Sequence, residues 1–116
     1  MKKVLVIDDD AMMQRMAAFM LKKLGCEAVT AGSGAEGLAR MREALPDLTI
    51  IDVEMPEMDG FAVLREIRAD EALRGASVCM MTGTLTDPVR DQAIALQCIG
   101  CLIKPLRAEA MQKLLG

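Results

Sequence analysis

The stretch LTIIDVEMPEMDG, residues 48–60, carries an apolar strand-like run straight into Asp52, and a turn built on Pro56, Asp59 and Gly60 follows. Burying a charge is costly unless something pairs with it, so a carboxylate at the end of such a run sits at a surface turn or has chemical work to do. The chain offers partners of the same kind. The run KVLVI is followed by Asp8, Asp9 and Asp10, a third run ends in Thr82 and Gly83, and a fourth ends in Lys104 and Pro105. Gathered in one place, these residues give several carboxylates, one hydroxyl and one ammonium. Carboxylates held close repel, and at least one should bind its proton more tightly unless a cation joins them. A hard divalent cation, Mg²⁺, suits such oxygen ligands, binding through one or two carboxylates together with phosphate oxygens. Asp52 could then act as a nucleophile towards a phosphoryl group, with Lys104 and Thr82 stabilising the charge on its oxygens and Gly83 leaving room for its approach.

The elements needed to bring these residues together are legible as alternating runs. Lys3–Ile7, Glu27–Ala31, Leu48–Ile51, Ser77–Met81 and Ile99–Ile103 read as strands. Several are continuously apolar, as in a parallel sheet covered on both faces. Helices are expected over Ala11–Leu24, ended by Gly25; from the Ser33–Glu36 capping box to Ala44; over Phe61–Ala69; after Asp87-Pro88; and over Leu106–Leu115. Strand and helix repeated five times predict a three-layer α/β domain with right-handed crossovers, spanning residues 1–116 as one unit. In such a sheet the carboxyl ends of the strands share an edge, and ligand sites form there.

Each candidate also has a plainer role. Asp10 is expected to cap the first helix, Asp59-Gly60 to form a turn, and the Glu54 and Glu57 side chains to face solvent. The backbone carbonyl of Glu54 is near enough in sequence to Asp52 to reach a metal. Helical spacing assigns Met12, Met16 and Met20 to core packing instead of a partner-binding face. Cys98 and Cys101 are spaced as C-x-x-C, but they lead into an apolar strand and no second pair completes a zinc site. All four cysteines, Cys26, Cys79, Cys98 and Cys101, are therefore expected in the core.

The bulk composition removes several function classes. Of 116 residues 53% are hydrophobic and 27% charged, which is globular composition. The net charge is −3 with no basic patch, and Phe19 and Phe61 are the only aromatic residues, so direct nucleic-acid binding is not expected. No apolar run is long enough for a membrane span, and the N-terminal run stops at three aspartates, unlike a signal peptide, so a cytoplasmic location is expected. The absence of histidine excludes a histidine triad and a phosphohistidine on this chain.

Across nearly its whole length the sequence resembles the receiver domains of two-component response regulators. The resemblance is carried by VLVIDDD, PDLTIIDVEMPEMDG with FAVLREIR, the strand ending MMTG, and IGCLIKP. It implies a flavodoxin-like (βα)5 fold with strand order 2-1-3-4-5. It further implies Asp52 as phosphoacceptor, Asp8 and Asp9 with Asp52 and the Glu54 carbonyl as Mg²⁺ ligands, Thr82 as switch hydroxyl and Lys104 as the lysine contacting the phosphoryl group. The donor would be a histidine kinase or phosphotransfer protein. Output would pass to a downstream domain or protein, or to a phosphorylation-dependent homodimer, through the face of helix four, strand five and helix five. Any chemistry would be limited to self-phosphorylation and self-dephosphorylation. Whether the regulator stands alone or belongs to a longer chain is left open.

One departure stands out. The family usually places Phe or Tyr three positions before the lysine, and this chain has Cys101 there. A thiol cannot swing a large ring between exposed and buried states, so Cys101 is expected to stay buried and switching to use loop and helix-four shifts. Three rival readings have less support. An aspartyl phosphatase of the haloacid-dehalogenase type would use Asp8 and Asp10, but Met12 breaks its motif and Asp52 is left without a role. Flavin binding conflicts with the acids after the first strand. A non-phosphorylated scaffold would leave the assembled acceptor residues unused.

Overall fold

A computed structural model describes all residues, 1–116. Five strands, β1 (Lys3–Ile7), β2 (Glu27–Ala31), β3 (Leu48–Asp52), β4 (Val78–Thr82) and β5 (Gly100–Ile103), alternate with five helices. The helices are α1 (Ala11–Lys23), α2 (Gly34–Ala44), α3 (Gly60–Ala69), α4 (Asp87–Ala95) and α5 (Ala108–Leu115). All strand pairs are parallel and the sheet order is β2-β1-β3-β4-β5. This is the expected flavodoxin-like arrangement.

Burial explains why three strands are apolar without alternation. Every residue of β3 and β4 is buried, as is β1 from Val4 onward, because helices cover both faces. Alternate residues feed two cores. Leu5, Ile7, Ile51 and Met80 pack with α2 and α3, while Val4, Val6, Ile50, Cys79 and Met81 pack with Ala17 and Leu21 of α1 and Met111 of α5.

Local chemistry sets the helix ends. Asp10, Ser33, Asp59 and Thr86 each accept a hydrogen bond from a backbone N–H of the helix they precede. Asp59 is thus a helix cap as well as a turn residue, and Thr86 caps α4. Helix α5 starts at Ala108, two residues later than the sequence suggests, because Leu106 is buried in the core instead of opening the helix.

Two packing expectations are corrected. Met12 is 61% exposed, Met16 40% and Phe19 53%, so these side chains of α1 are not core, whereas Met20 is half-buried and packs against it. The helix carries two adjacent apolar stripes, and the one formed by Met13, Ala17, Leu21 and Leu24 faces the sheet. The other lies against solvent, with Lys23 Nζ 5.0 Å from the centre of the Phe19 ring. Cys26 and Cys79 are buried, whereas Cys98 and Cys101 are only half-buried at the margin of the α3 side of the core.

Candidate functional site

The carboxyl ends of β1, β3, β4 and β5 meet at one edge. Asp8 directly follows β1 and extends its ladder, its N–H donating to Ala31 O at 3.0 Å. Gln14 Nε2 holds the Asp8 carbonyl at 2.7 Å, a support that sequence reading did not single out. The Asp8 carboxylate is completely buried. Its Oδ1 accepts from Asp10 N–H at 2.9 Å, and its Oδ2 accepts no hydrogen bond. Asp10 turns away and caps α1, accepting from Met12 N–H at 2.9 Å. Asp9 is exposed beside it.

Asp52 is the last residue of β3 and is 1% exposed. The chain beyond it folds back tightly: Val53 N–H donates to Met81 O and Gly60 N–H to Val53 O. A side chain at Gly60 would place its Cβ 2.2 Å from the Asp52 carbonyl oxygen, so this turn closes only with glycine. The Asp52 Oδ1 accepts from Glu54 N–H at 3.3 Å, and Oδ2 lies 3.2 Å from Lys104 Nζ. The same ammonium lies 3.4 Å from Asp8 Oδ2, so Lys104 bridges the two buried acids. It is held there because Lys104 N–H donates to Thr82 O at 2.8 Å, continuing the β4–β5 ladder past the end of β5.

The electrostatics follow from this packing. Burial, with the negative charge of Asp8, pushes the Asp52 carboxyl up to about 6 from 3.8, although Lys104 and the Glu54 amide pull the other way. Burial draws the Lys104 ammonium down, but its contacts with Asp52 and Asp8 outweigh that and leave it raised. Carboxylate oxygens of Asp8, Asp9 and Asp52 lie within 4.8 Å of one another. Three carboxylates against one ammonium leave an excess of two negative charges at the edge. The fully buried Asp8 Oδ2, which accepts no hydrogen bond and has only the Lys104 ammonium at 3.4 Å, and this clustered oxygen set fit a small hard divalent cation.

Thr82 is buried at the end of β4, as expected, and its neighbour is a surprise. Its hydroxyl donates to Glu54 Oε2 at 2.7 Å, and Gly83 N–H donates to Glu54 Oε1 at 3.1 Å. The Glu54 residue is exposed, in line with the sequence reading, but its carboxylate is not idle. The register of the sheet accounts for it. Asp52 pairs with Met81 across the β3–β4 ladder, and extending that register by two places sets Glu54 opposite Gly83. Cys98 and Cys101 form no reactive pair. Burial pushes Cys98 up to about 11 and raises Cys101, which works against the thiolate that redox chemistry needs.

Comparison with known proteins agrees with this geometry. The family described as response regulator receiver domain matches residues 4–116. Protein PilG of Pseudomonas aeruginosa is 35% identical over 80 residues, which are 69% of this chain and 59% of that protein. The DNA-binding response regulator MtrA of Mycobacterium leprae is 36% identical over 88 residues, 76% of this chain and 37% of that protein. The matched stretch is thus less than two thirds of either relative's length. Among solved structures, chemotaxis protein CheY4 of Vibrio cholerae superposes with a TM-score of 0.92 at 32% identity, covering 99% of this chain and 96% of that one. A response regulator receiver protein from Pseudomonas putida gives 0.90 at 27% identity, covering 98% and 94%.

Proposed function

Because the chain belongs to the response regulator receiver domain family and so to two-component signalling, we propose that it works by accepting a phosphoryl group on Asp52. The observation that carries this reading is the buried Asp52 carboxylate at the strand edge, flanked by Lys104 and two further acids. With its proton held only to about pH 6, Asp52 is ionised and nucleophilic at neutral pH while remaining desolvated. A carboxylate oxygen attacks phosphorus of a phosphohistidine on a histidine kinase or phosphotransfer protein. The O–P bond forms, the P–N bond breaks, and the electron pair leaves with the imidazole, which takes up a proton. Mg²⁺ held by Asp8, Asp9, Asp52 and the Glu54 carbonyl would supply positive charge to the phosphoryl oxygens. Lys104 adds a fixed positive charge next to the attacking carboxylate, and Thr82 offers a hydroxyl donor on the opposite wall.

The consequence of acylphosphate formation is expected on the α4–β5–α5 face. Ile94, Ile99 and Ile103 are exposed there, at 67%, 51% and 54%, and give a downstream domain, protein or second copy an apolar surface to read. No helix is long and apolar enough to cross a membrane, and a cytoplasmic location is part of this proposal.

The test is to incubate the chain with a small phosphodonor and Mg²⁺ and measure intact mass. One phosphoryl adduct is expected on the wild type and none on Asp52→Ala. An adduct that survives in Asp52→Ala, and disappears in Asp8→Asn, would favour the phosphatase-like use of Asp8 and refute this assignment.

A further inference from the structure

Two donors at the end of β4, the strand next to the one that carries Asp52, already hold an anion: the Thr82 hydroxyl and the Gly83 amide. Each donates to a different oxygen of the Glu54 carboxylate, at 2.7 and 3.1 Å, so the contact is bidentate and charge-assisted. Thr82 is 1% exposed and its hydroxyl carries a single proton, which can satisfy one acceptor at a time. The other acceptor nearby is Thr84 O at 3.1 Å, the longer and uncharged alternative. Glu54 itself is exposed and lies on a loop, with no salt bridge to any cation. Its carboxylate is therefore held by these two donors and is free to leave into water.

We propose that the Glu54 carboxylate is an internal stand-in for the phosphoryl group, occupying Thr82 and Gly83 until Asp52 is phosphorylated and then being expelled. This rests on the reading of Asp52 as acceptor. A phosphoryl group on Asp52 brings oxygens that compete for the same two donors, and its negative charge repels the carboxylate. One anion replaces another, and the unphosphorylated state is stabilised by the bonds that the phosphorylated state takes over. Such an exchange also supplies a moving part. Cys101 is half-buried with no ring to swing, whereas release of Glu54 transfers a full negative charge from the Thr82–Gly83 wall to solvent and frees the loop that leads into α4.

The test compares wild type, Glu54→Ala and Glu54→Gln. All keep the backbone carbonyl of residue 54, and Glu54 is exposed, so the core is untouched. Without phosphodonor, the Gly83 amide proton resonance is expected to move upfield in Glu54→Ala and to stay near its wild-type position in Glu54→Gln, whose amide oxygen still accepts. With a small phosphodonor and Mg²⁺, Glu54→Ala is expected to form the Asp52 adduct about tenfold faster, equivalent to losing about 1.4 kcal/mol of competing interaction. Glu54→Gln should fall between the two, and the acceleration should shrink in a Thr82→Ala background. An Asp52 adduct that forms in Glu54→Ala no faster than in wild type would overturn the stand-in role and leave the acceptor assignment intact. Failure of every variant, wild type included, to form any adduct would instead overturn the acceptor assignment and the stand-in role with it.

Discussion

Replacing Asp52 with Asn should make the metal-free protein more stable at neutral pH, and the gain should vanish in acid. The sign follows from linkage. Asp52 holds its proton up to about pH 6 in the folded chain against 3.8 for an ordinary aspartate. Between those values the folded state binds more protons than the unfolded state, so stability falls as pH rises through the window. The deficit is complete above about pH 6. Its size follows from the rise from 3.8 to about 6, on the order of 3 kcal/mol at about 1.36 kcal/mol per pKa unit. Screening by solvent hardly reduces it, because Asp52 is 1% exposed. Asn stands in for the protonated acid, which has nearly the same shape and no charge. Lys104 still has Asp8 to pair with at 3.4 Å.

Thermal melts in a chelating buffer at matched ionic strength read this directly. For a domain near this size about 1 kcal/mol moves Tm by about 4 °C, so Asp52→Asn should melt about 10 °C above wild type near pH 7.5 and within a degree or two of it near pH 4. Added Mg²⁺ should stabilise wild type by mass action more than the variant and so narrow the gap. A gap of the same size at both pH values, or a variant no more stable than wild type near pH 7.5, would refute the claim that the acceptor is kept ionised against its surroundings.

Gly60→Ala would drive a Cβ to 2.2 Å from the Asp52 carbonyl oxygen; urea unfolding should show a loss of about 1–3 kcal/mol, with slower adduct formation because the end of β3 must shift. Arg68 donates to four backbone carbonyls, those of Leu96, Arg74, Ala76 and Gln97, between 2.8 and 3.1 Å. Arg68→Ala should therefore cost about 2–3 kcal/mol in the same assay, and a loss below about 0.5 kcal/mol would show that water replaces the guanidinium freely. Burial pushes Cys79 up to about 12 and Cys98 to about 11, so a thiol-titrating disulfide near pH 8 should react slowly with these two in the folded chain but rapidly with all four cysteines in denaturant; rapid formation of a Cys98–Cys101 disulfide in the folded chain would contradict this.

The parts of the site that were legible in the sequence are those fixed by strand ends. Asp8, Asp52, Thr82 and Lys104 terminate or directly follow apolar runs, and parallel strands must bring such ends to one edge. The strand order itself was not readable from periodicity and came with the family resemblance. Features set by side-chain direction were harder. On α1 two apolar stripes lie side by side, and periodicity alone cannot say that Ala17 and Leu21 face the sheet while Met12, Met16 and Phe19 do not. The sequence around Glu54 points its side chain to solvent because acids on loops usually face it. Its bonds to Thr82 and Gly83 depend on the β3–β4 register, a long-range fact, and not on anything in its own neighbourhood. Arg68 escaped notice for the same reason, since its acceptors come from the α3–β4 connection and the end of α4.

The charge distribution explains why these features belong to one device. On the proposed reading, Asp8, Asp9 and Asp52 cluster at the edge before phosphorylation with Lys104 bridging Asp8 and Asp52, while Glu54 is held on Thr82 and Gly83 by two hydrogen bonds. Esterifying Asp52 removes one carboxylate charge and adds a phosphoryl group of about −2, so the edge becomes more negative just as the Thr82 and Gly83 donors gain a better-charged acceptor. Of the four acids, Asp8 is fully buried and Asp52 carries the ester, so neither can relieve the strain by moving. Asp9 is exposed, but in its proposed role as a Mg²⁺ ligand it would be retained by the cation that the added charge attracts more strongly. Glu54 alone is both exposed and bonded to the donors under competition. On the proposed reading, repulsion and competition act on the same side chain in the same direction, so release of Glu54 is the step expected to link a covalent event at β3 to the start of α4 in a chain without an aromatic at position 101.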